Sequence, residues 1–161
     1  MVETGHVVLC ERGVGLKRLG RIGRRLARSL RPGDLVLLYG PLGAGKTTLV
    51  RVIAEALRAS DPVRSPSFTI ANIYSGTVTI QHLDLYRLDD IGDEDALALE
   101  EYVRADAVTL VEWPQAGLGR LGSPAWIVRL RHETLQARAV EVEAATIEAR
   151  GRWEAAGDAD G

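Results

Sequence analysis

A glycine-rich loop at residues 40–47 is the feature that most constrains this chain. Its sequence, Gly-Pro-Leu-Gly-Ala-Gly-Lys-Thr, fills every fixed position of the phosphate-binding pattern G-x-x-x-x-G-K-[ST]. The apolar residues 35–39 before it are typical of a buried strand, and residues 48–59 after it have apolar side chains at helical spacing. Between a strand and a helix, such a loop points its backbone N–H groups at one spot beside the positive end of the helix. The pattern therefore predicts a binding site for a nucleoside triphosphate.

Each part of the loop has an expected role toward that ligand. Lys46 is expected to reach the β- and γ-phosphates, and the Thr47 hydroxyl is expected to ligand Mg²⁺. Trp113 is a further candidate, which either covers the nucleotide or caps the sheet. The expected nucleotide-binding residues are Gly40, Leu42, Gly43, Ala44, Gly45, Lys46, Thr47, Thr48 and Trp113.

Two carboxylates are candidates to complete the site, and both are assigned a catalytic role together with Lys46. Glu112 directly follows the apolar residues 108–111, as expected of an acid at the carboxyl end of a strand beside the loop, and is predicted to hold Mg²⁺ with Thr47. Asp84 is a candidate to orient the attacking water or to hold Mg²⁺ through water. Which of the two activates water stays open, and His82 is interpreted as structural.

A Ser-Pro-Ser-Phe-Thr segment at residues 65–69 follows the loop helix. Serine and proline are turn formers, so a plain loop is one interpretation. Nucleotide hydrolases also keep a segment that closes on the γ-phosphate after this helix. We therefore expect a switch formed by Ser65, Pro66, Ser67 and Thr69.

Apolar periodicity predicts an α/β fold, a three-layer sandwich of the P-loop NTPase type. Its mixed sheet is expected to have a parallel core, antiparallel additions at one side and helices on both faces. A length of 161 residues fits one domain, assigned to residues 1–150, with a flexible tail rich in Ala, Gly and Asp at residues 151–161. The other expected elements are helices at 14–30 and 93–105 and strands at 7–10, 69–74, 77–86, 108–113, 125–132 and 137–145.

Composition excludes few functions. The net charge of −2 favours neither nucleic acid nor membrane, and no segment is apolar enough to span a bilayer, so a cytoplasmic protein is expected. Cys10 is the only cysteine, expected to be buried, and it permits no internal disulfide. Residues 12–31 are rich in arginine and residues 84–106 in acids; these are either solvated helix faces or docking surfaces for a protein or RNA.

Motifs that the sequence lacks narrow the choice of nucleotide and of reaction. Guanine recognition usually requires an Asn-Lys-x-Asp motif, and Asn72 is the only asparagine, so ATP is favoured over GTP. A small-molecule kinase usually needs an arginine-bearing lid, and no segment here has the length for one, although Arg87 and Arg120 remain candidates.

Four ordered motifs, at residues 40–48, 65–69, 82–88 and 111–115, strongly resemble the TsaE (YjeE) family, and the match runs from about residue 16 to 130. The resemblance implies the ATPase component of bacterial tRNA threonylcarbamoyladenosine synthesis, working with a complex of TsaB and TsaD and reaching tRNA only through it. Hydrolysis would then reset the complex between turnovers.

The resemblance also implies roles for individual residues. It places Lys46 on the phosphates, Thr47 and Glu112 around Mg²⁺, Asp84 near the γ-phosphate and the switch at residues 65–69. The alternatives are a small-molecule kinase, a nucleotide-dependent binding switch with incidental hydrolysis and direct RNA binding by the arginine-rich helix.

Overall fold

Seven strands form one mixed β-sheet in the computed structural model, which describes residues 5–64, 71–86 and 98–157. The sheet order is β1-β7-β6-β2-β5-β4-β3. Strands β6, β2, β5 and β4 are parallel neighbours, whereas β7 pairs antiparallel with β6 and β1, and β3 pairs antiparallel with β4. The antiparallel additions therefore lie at both sides of the parallel core, and the expectation that they lie at one side is wrong. The strands are β1 (His6–Val14), β2 (Leu35–Tyr39), β3 (Ala71–Tyr74), β4 (Thr79–Asp84), β5 (Ala107–Glu112), β6 (Trp126–His132) and β7 (Arg138–Ala144).

The described α-helices pack against one face of this sheet. They are α1 (Leu16–Ser29), α2 (Lys46–Ala56) and α3 (Ile147–Ala156). Helix α1 forms because Leu19, Ile22 and Leu26 recur at helical spacing, and all three side chains are buried in the core shared with α2, α3 and the sheet. The chain becomes extended at Leu30 and turns into β2.

A second, smaller core covers the other face of the central strands. Alternate residues of β2 point to opposite faces, so Val36 enters the helical core while Leu35 and Leu37 enter the second one. There Leu99, from a 3-10 helix at Ala98–Tyr102, packs against them, and a further 3-10 helix spans Pro114–Gly117. The predicted α/β fold class with a mixed sheet is confirmed; of the helices expected on both faces, the described α-helices lie on one face and a 3-10 helix lies on the other. Of the helix expected at 93–105, residues 93–97 lie outside the described residues, and the part that is described is the 3-10 helix.

The expectation of a flexible tail is wrong for residues 151–157. Helix α3 begins at an N-cap, Thr146, whose hydroxyl accepts a hydrogen bond from the Ala149 N–H at 3.0 Å. Trp153 is only 2% exposed. The Arg25 guanidinium lies 4.1 Å from its ring centroid and donates to its carbonyl oxygen. Composition did not predict this helix because the burial of one aromatic side chain stabilises it despite the run of small residues. Residues 158–161 lie outside the described residues.

The arginine-rich segment is partly used to dock α3. Besides Arg25, Arg28 donates to the Gly157 carbonyl oxygen at 3.0 Å. From α3 itself, Arg152 pairs with Asp34 at 3.1 Å. At least part of the basic charge therefore serves internal packing, which neither of the two expectations for this segment included.

Two further expectations concern exposure. Cys10 is exposed, not buried, because β1 is an edge strand whose alternate residues face away from the helical core. None of the helices in the described part of the chain has both the length and the apolar character needed to cross a membrane.

Trp153→Ala should destabilise the protein by about 3–5 kcal/mol, because it removes a fully packed aromatic side chain and leaves a cavity between α1 and α3. Urea denaturation measures the change. The control is Ile147→Ala on the same helix, whose side chain is 68% exposed and whose removal should change stability by less than about 0.5 kcal/mol. Equal stability of Trp153→Ala and the parent chain would contradict the docking of α3.

Candidate functional site

The glycine-rich loop connects the end of β2 to the start of α2 and lies close against β6. A Cβ atom on Gly40 would lie 2.7 Å from the Leu130 carbonyl oxygen, which leaves no room for a side chain. Gly45 has a φ of 112° and is the N-cap of α2. Because an L side chain is strained at such a φ, glycine is required there for the chain to enter the helix.

A cavity of about 230 Å³ opens beside the loop, at the carboxyl ends of β4 and β5. It brings together both predicted carboxylates, the predicted lysine and threonine, and Trp113. Two of the expected residues, Gly40 and Ala44, do not line it. The Gly40 carbonyl oxygen instead accepts a hydrogen bond from Lys46, and the side chain of Ala44 is buried. The residues that line the cavity are Leu42, Gly43, Gly45, Lys46, Thr47, Thr48, Asp84, Glu112 and Trp113.

Glu112 is the centre of the polar contacts in this cavity. Its side chain lies on β5 and is 97% buried, and the Thr47 Oγ1 atom, at the start of α2, donates to it with oxygens at 3.0 and 3.1 Å. Parallel pairing places Asp84 beside Glu112 in the register of β4 and β5. The prediction that Glu112 lies at the carboxyl end of a strand beside the loop is confirmed, and Asp84, expected within a strand at 77–86, is the last residue of β4 next to it.

Asp84 is half-buried, and its ionisation is perturbed. Burial raises the pKa of its carboxyl above the ordinary value of 3.8, and the negative charge of Glu112 adds to this. The Tyr86 N–H, which donates to Asp84 Oδ1 at 3.0 Å, acts in the opposite direction on the pKa. A carboxyl with a raised pKa is a better proton acceptor when ionised than an ordinary aspartate.

Lys46 is 4% exposed and lies across the loop. Its ammonium group donates to the carbonyl oxygens of Gly40 and Pro41, and its Nζ lies 3.7 Å from the ring centroid of Trp113. Burial lowers the pKa of Lys46, while the charges of Glu112 and Asp84 act to raise it. The amine therefore contacts two backbone carbonyl oxygens and an aromatic face, and it also lies within the electrostatic influence of both carboxylates.

Trp113 is part of the cavity wall. It is one of two non-glycine residues with positive φ in the described chain, at 55°, directly before Pro114. Residues held in this region cost conformational energy and concentrate at functional sites. Its ring also contacts that of Tyr86, with centroids 4.8 Å apart. Its side chain also packs against the second core, so the position is compatible with both expected roles, contact with a ligand and capping of the sheet.

The oxygens of Thr47 and Glu112 are suited to Mg²⁺, which prefers hard oxygen ligands. Within the described ranges there is no group of three or more His, Cys, Asp or Glu side chains arranged to hold a metal ion by themselves. A Mg²⁺ ion here would therefore need phosphate oxygens and water to complete its shell. This is the arrangement expected of a metal that arrives with a nucleotide.

Comparison with known proteins relates this chain to a family. The sequence model of the family described as "Threonylcarbamoyl adenosine biosynthesis protein TsaE" matches residues 15–140, a range that includes the loop and both carboxylates. The chain belongs to the TsaE family. The family predicted from the four motifs is thus confirmed.

Individual relatives give the same result. The tRNA threonylcarbamoyladenosine biosynthesis protein TsaE of Mycobacterium leprae is 40% identical over 116 residues, 66% of this chain and 70% of that protein. The protein of the same name from Bacillus subtilis is 42% identical over 93 residues, 57% of this chain and 58% of the relative. The crystal structure of Bacillus subtilis YdiB matches with a TM-score of 0.75 and 29% identity, covering 94% of this chain and 95% of that one.

The interpretation of His82 as structural did not anticipate its contact with a residue of the site. It is fully buried, and its Nε2 atom lies 2.6 Å from Glu112 Oε2. The signal was available: His82 and Asp84 are two positions apart on one strand, so their side chains point to the same face.

Two residues that brace the loop had no such signal. The His132 Nε2 atom lies 3.0 Å from the Leu42 carbonyl oxygen, and Arg138, 7% exposed, packs its side chain beside Gly45. Both come from the β6–β7 hairpin, far along the chain, and no local pattern indicates that it packs against the loop.

Several predicted residues cannot be placed. The expected switch residues Ser65, Pro66, Ser67 and Thr69 and the candidate Arg87 lie outside the described residues. Arg120 is exposed and does not line the cavity. The catalytic, nucleotide-binding and metal-binding roles stay predictions for the residues that the cavity does bring together.

Asp84→Asn should stabilise the protein at pH 7 when no nucleotide is added. A folded-state pKa above the unfolded value means that stability falls as the pH rises from the unfolded pKa through the folded one, and the amide removes this cost. We expect a melting temperature roughly 1–3 °C higher at pH 7, with the advantage fading as the pH is lowered toward 4. Thermal melts across this range provide the measurement.

The control is Asp106→Asn. Its carboxyl is exposed and hydrogen-bonded to Arg104, which lowers its pKa, so this change should leave the melting temperature at pH 7 equal or slightly lower. A less stable Asp84→Asn protein at pH 7 would show that burial does not dominate at Asp84.

Proposed function

We propose that this protein is the Mg²⁺-dependent ATP-binding and ATP-hydrolysing subunit of tRNA threonylcarbamoyladenosine biosynthesis. It would act in the cytoplasm with a complex of the TsaB–TsaD type, reach tRNA only through that complex and support its multiple turnover. The observation on which this rests is the placement of Thr47, Glu112 and Asp84 around one cavity at a phosphate-binding loop. Membership of the TsaE family supports the pathway.

The loop and its helix account for phosphate binding in this proposal. Backbone N–H groups and the positive end of α2 face the phosphates, and Lys46 turns from the Gly40 and Pro41 carbonyls to the β- and γ-phosphates. Thr47 and Glu112 would hold Mg²⁺, which neutralises charge on the phosphates when bound. The absence of a guanine motif supports ATP as the nucleotide.

The contacts favour Asp84 as the residue that orients the attacking water. The Glu112 carboxylate is already engaged, by His82 at Oε2 and by the single Thr47 hydroxyl, which lies at similar distances from both oxygens. Asp84 lines the cavity, and in the described part of the chain the Tyr86 N–H is the hydrogen-bond donor to its carboxylate, at Oδ1. Hydrolysis forms a bond between the water oxygen and the γ-phosphorus and breaks the bond to the β-phosphate oxygen; the proton of water passes to Asp84 or to the phosphate.

The isolated chain should hydrolyse ATP slowly. Among the described residues that line the cavity, Lys46 is the only cation, and a missing arginine finger is worth roughly 10³–10⁵ in rate. We infer that the partner complex completes the site, either with a residue of its own or by acting on the predicted switch at residues 65–69.

Phosphate release by the purified chain, with and without the partner complex and tRNA, tests the proposal. We expect slow release from the chain alone and strong stimulation by the complex. Full-rate hydrolysis by the chain, with no effect of the complex, would show that partner completion is wrong.

Two alternatives remain testable beside it. Under the kinase alternative, the γ-phosphate would appear on an added acceptor instead of as free phosphate. Under the binding-switch alternative, Glu112→Gln should preserve both complex formation and repeated modification of tRNA, whereas under our proposal multiple turnover should stop.

Lys46→Ala and Asp84→Ala should fail in different ways. The first removes the cation that binds phosphates, so ATP affinity itself should fall, by about 2 kcal/mol or more for the loss of a charged hydrogen bond. The second should leave ATP affinity nearly intact and mainly lower the hydrolysis rate in the complex. Calorimetry and phosphate release separate these effects, and equal losses of ATP affinity would contradict the assigned roles.

A further inference from the structure

We propose that His82 is a positioning residue that selects which oxygen of Glu112 is presented to the metal-binding side of the cavity. The inference rests on the proposed function, because it assigns Glu112 to Mg²⁺. It goes beyond that function because it assigns a role to a residue that does not itself line the cavity.

The strand geometry brings His82 to Glu112. Ile80, His82 and Asp84 alternate with residues that face the second core, so all three lie on the helical face of β4. Parallel pairing then places His82 opposite Leu110, two residues before Glu112 on the neighbouring strand. The imidazole spans this diagonal, with 2.6 Å between Nε2 and Glu112 Oε2.

Thr47 alone does not distinguish the two carboxylate oxygens. Its hydroxyl lies 3.0 Å from Oε1 and 3.1 Å from Oε2 of Glu112, and it has one proton to donate. His82 breaks this symmetry, because its contact is with Oε2 alone. Among the described residues, Oε1 is thereby left with Thr47, the other predicted Mg²⁺ ligand, as its side-chain partner.

Burial makes this arrangement specific. His82 is 0% exposed and Glu112 is 2% exposed, so their contact is shielded from bulk water. The His82 Nδ1 atom has no hydrogen-bond partner among the described residues, so the ring's polar contact is the one with Glu112. A neutral imidazole that donates from Nε2 satisfies a carboxylate acceptor and leaves only a lone pair unpaired on Nδ1.

The expected consequence concerns metal affinity more than nucleotide affinity. Residues that orient metal-binding side chains typically contribute 10–100-fold to metal affinity. Loss of His82 should therefore weaken the Mg²⁺-dependent part of ATP binding, while the loop and Lys46 still bind the phosphates.

Three substitutions test the proposal with a readout independent of hydrolysis, namely calorimetric ATP affinity of the full chain measured over a Mg²⁺ titration. His82→Leu removes the donor and should raise the half-saturating Mg²⁺ concentration by about 10-fold or more, with Mg²⁺-free ATP affinity within about twofold. His82→Gln places an amide N–H near the position of Nε2 and should restore Mg²⁺ dependence to within about threefold. His82→Asn is too short and should resemble His82→Leu.

The matched control is Gln81→Leu. Gln81 is the preceding residue on β4, is 1% exposed and points to the opposite face, and its Oε1 atom has no hydrogen-bond partner within the described ranges. This substitution should leave the Mg²⁺ titration unchanged, and thermal melts of all variants report folding.

Each outcome decides between the two interpretations of His82. Parental Mg²⁺ dependence in folded His82→Leu, or a glutamine variant that behaves no better than the asparagine variant, would overturn the positioning role. If the leucine variant does not fold, the comparison of glutamine with asparagine decides the question by itself. Absence of any Mg²⁺-dependent ATP binding in the parent chain would instead contradict the proposed function.

Discussion

Parallel pairing of β2, β5 and β4 is the constraint on which the site depends. The register places both Leu38 and Asp84 beside Glu112, so three strands end at one edge of the sheet, where the loop leaves β2. Helix α2 packs on the same face as the Glu112 side chain, which brings Thr47 within hydrogen-bonding distance. A slip of one residue would turn the acids to the opposite face and separate them from the loop.

Burial sets the electrostatics of the cavity. Lys46 and Glu112 are almost completely buried and Asp84 partly so, which lowers the pKa of the lysine and raises that of the aspartate. The attraction between the lysine and the carboxylates offsets these effects of burial on the pKa values only in part. A protein keeps such an arrangement where charged groups must act on a ligand, because buried ionised groups otherwise cost stability. The β6–β7 hairpin contributes to the environment of the loop, because its residues Leu130, His132 and Arg138 pack closely around it.

The contact between α1 and α3 also depends on packing more than on composition. Arginines of α1 that resemble a solvated basic face bind the backbone of α3, and a tail of small residues becomes a helix because Trp153 has a buried position to fill. Charge content and residue size are averages over a segment. A single aromatic contact or a guanidinium bound to a carbonyl oxygen is decided by one pair of residues.

The sequence by itself determined the loop, the order of strands and helices around it, and the placement of Lys46, Thr47, Asp84 and Glu112. These follow from short-range physics: glycines permit the turn, apolar periodicity distinguishes strand from helix, and acids at strand ends meet at one edge. Only the tertiary structure decided the contact of His82 with Glu112, the bracing of the loop by His132 and Arg138, and the docking of α3. Each joins residues far apart in the chain, and their meeting depends on strand register and helix packing, which no short stretch of sequence specifies.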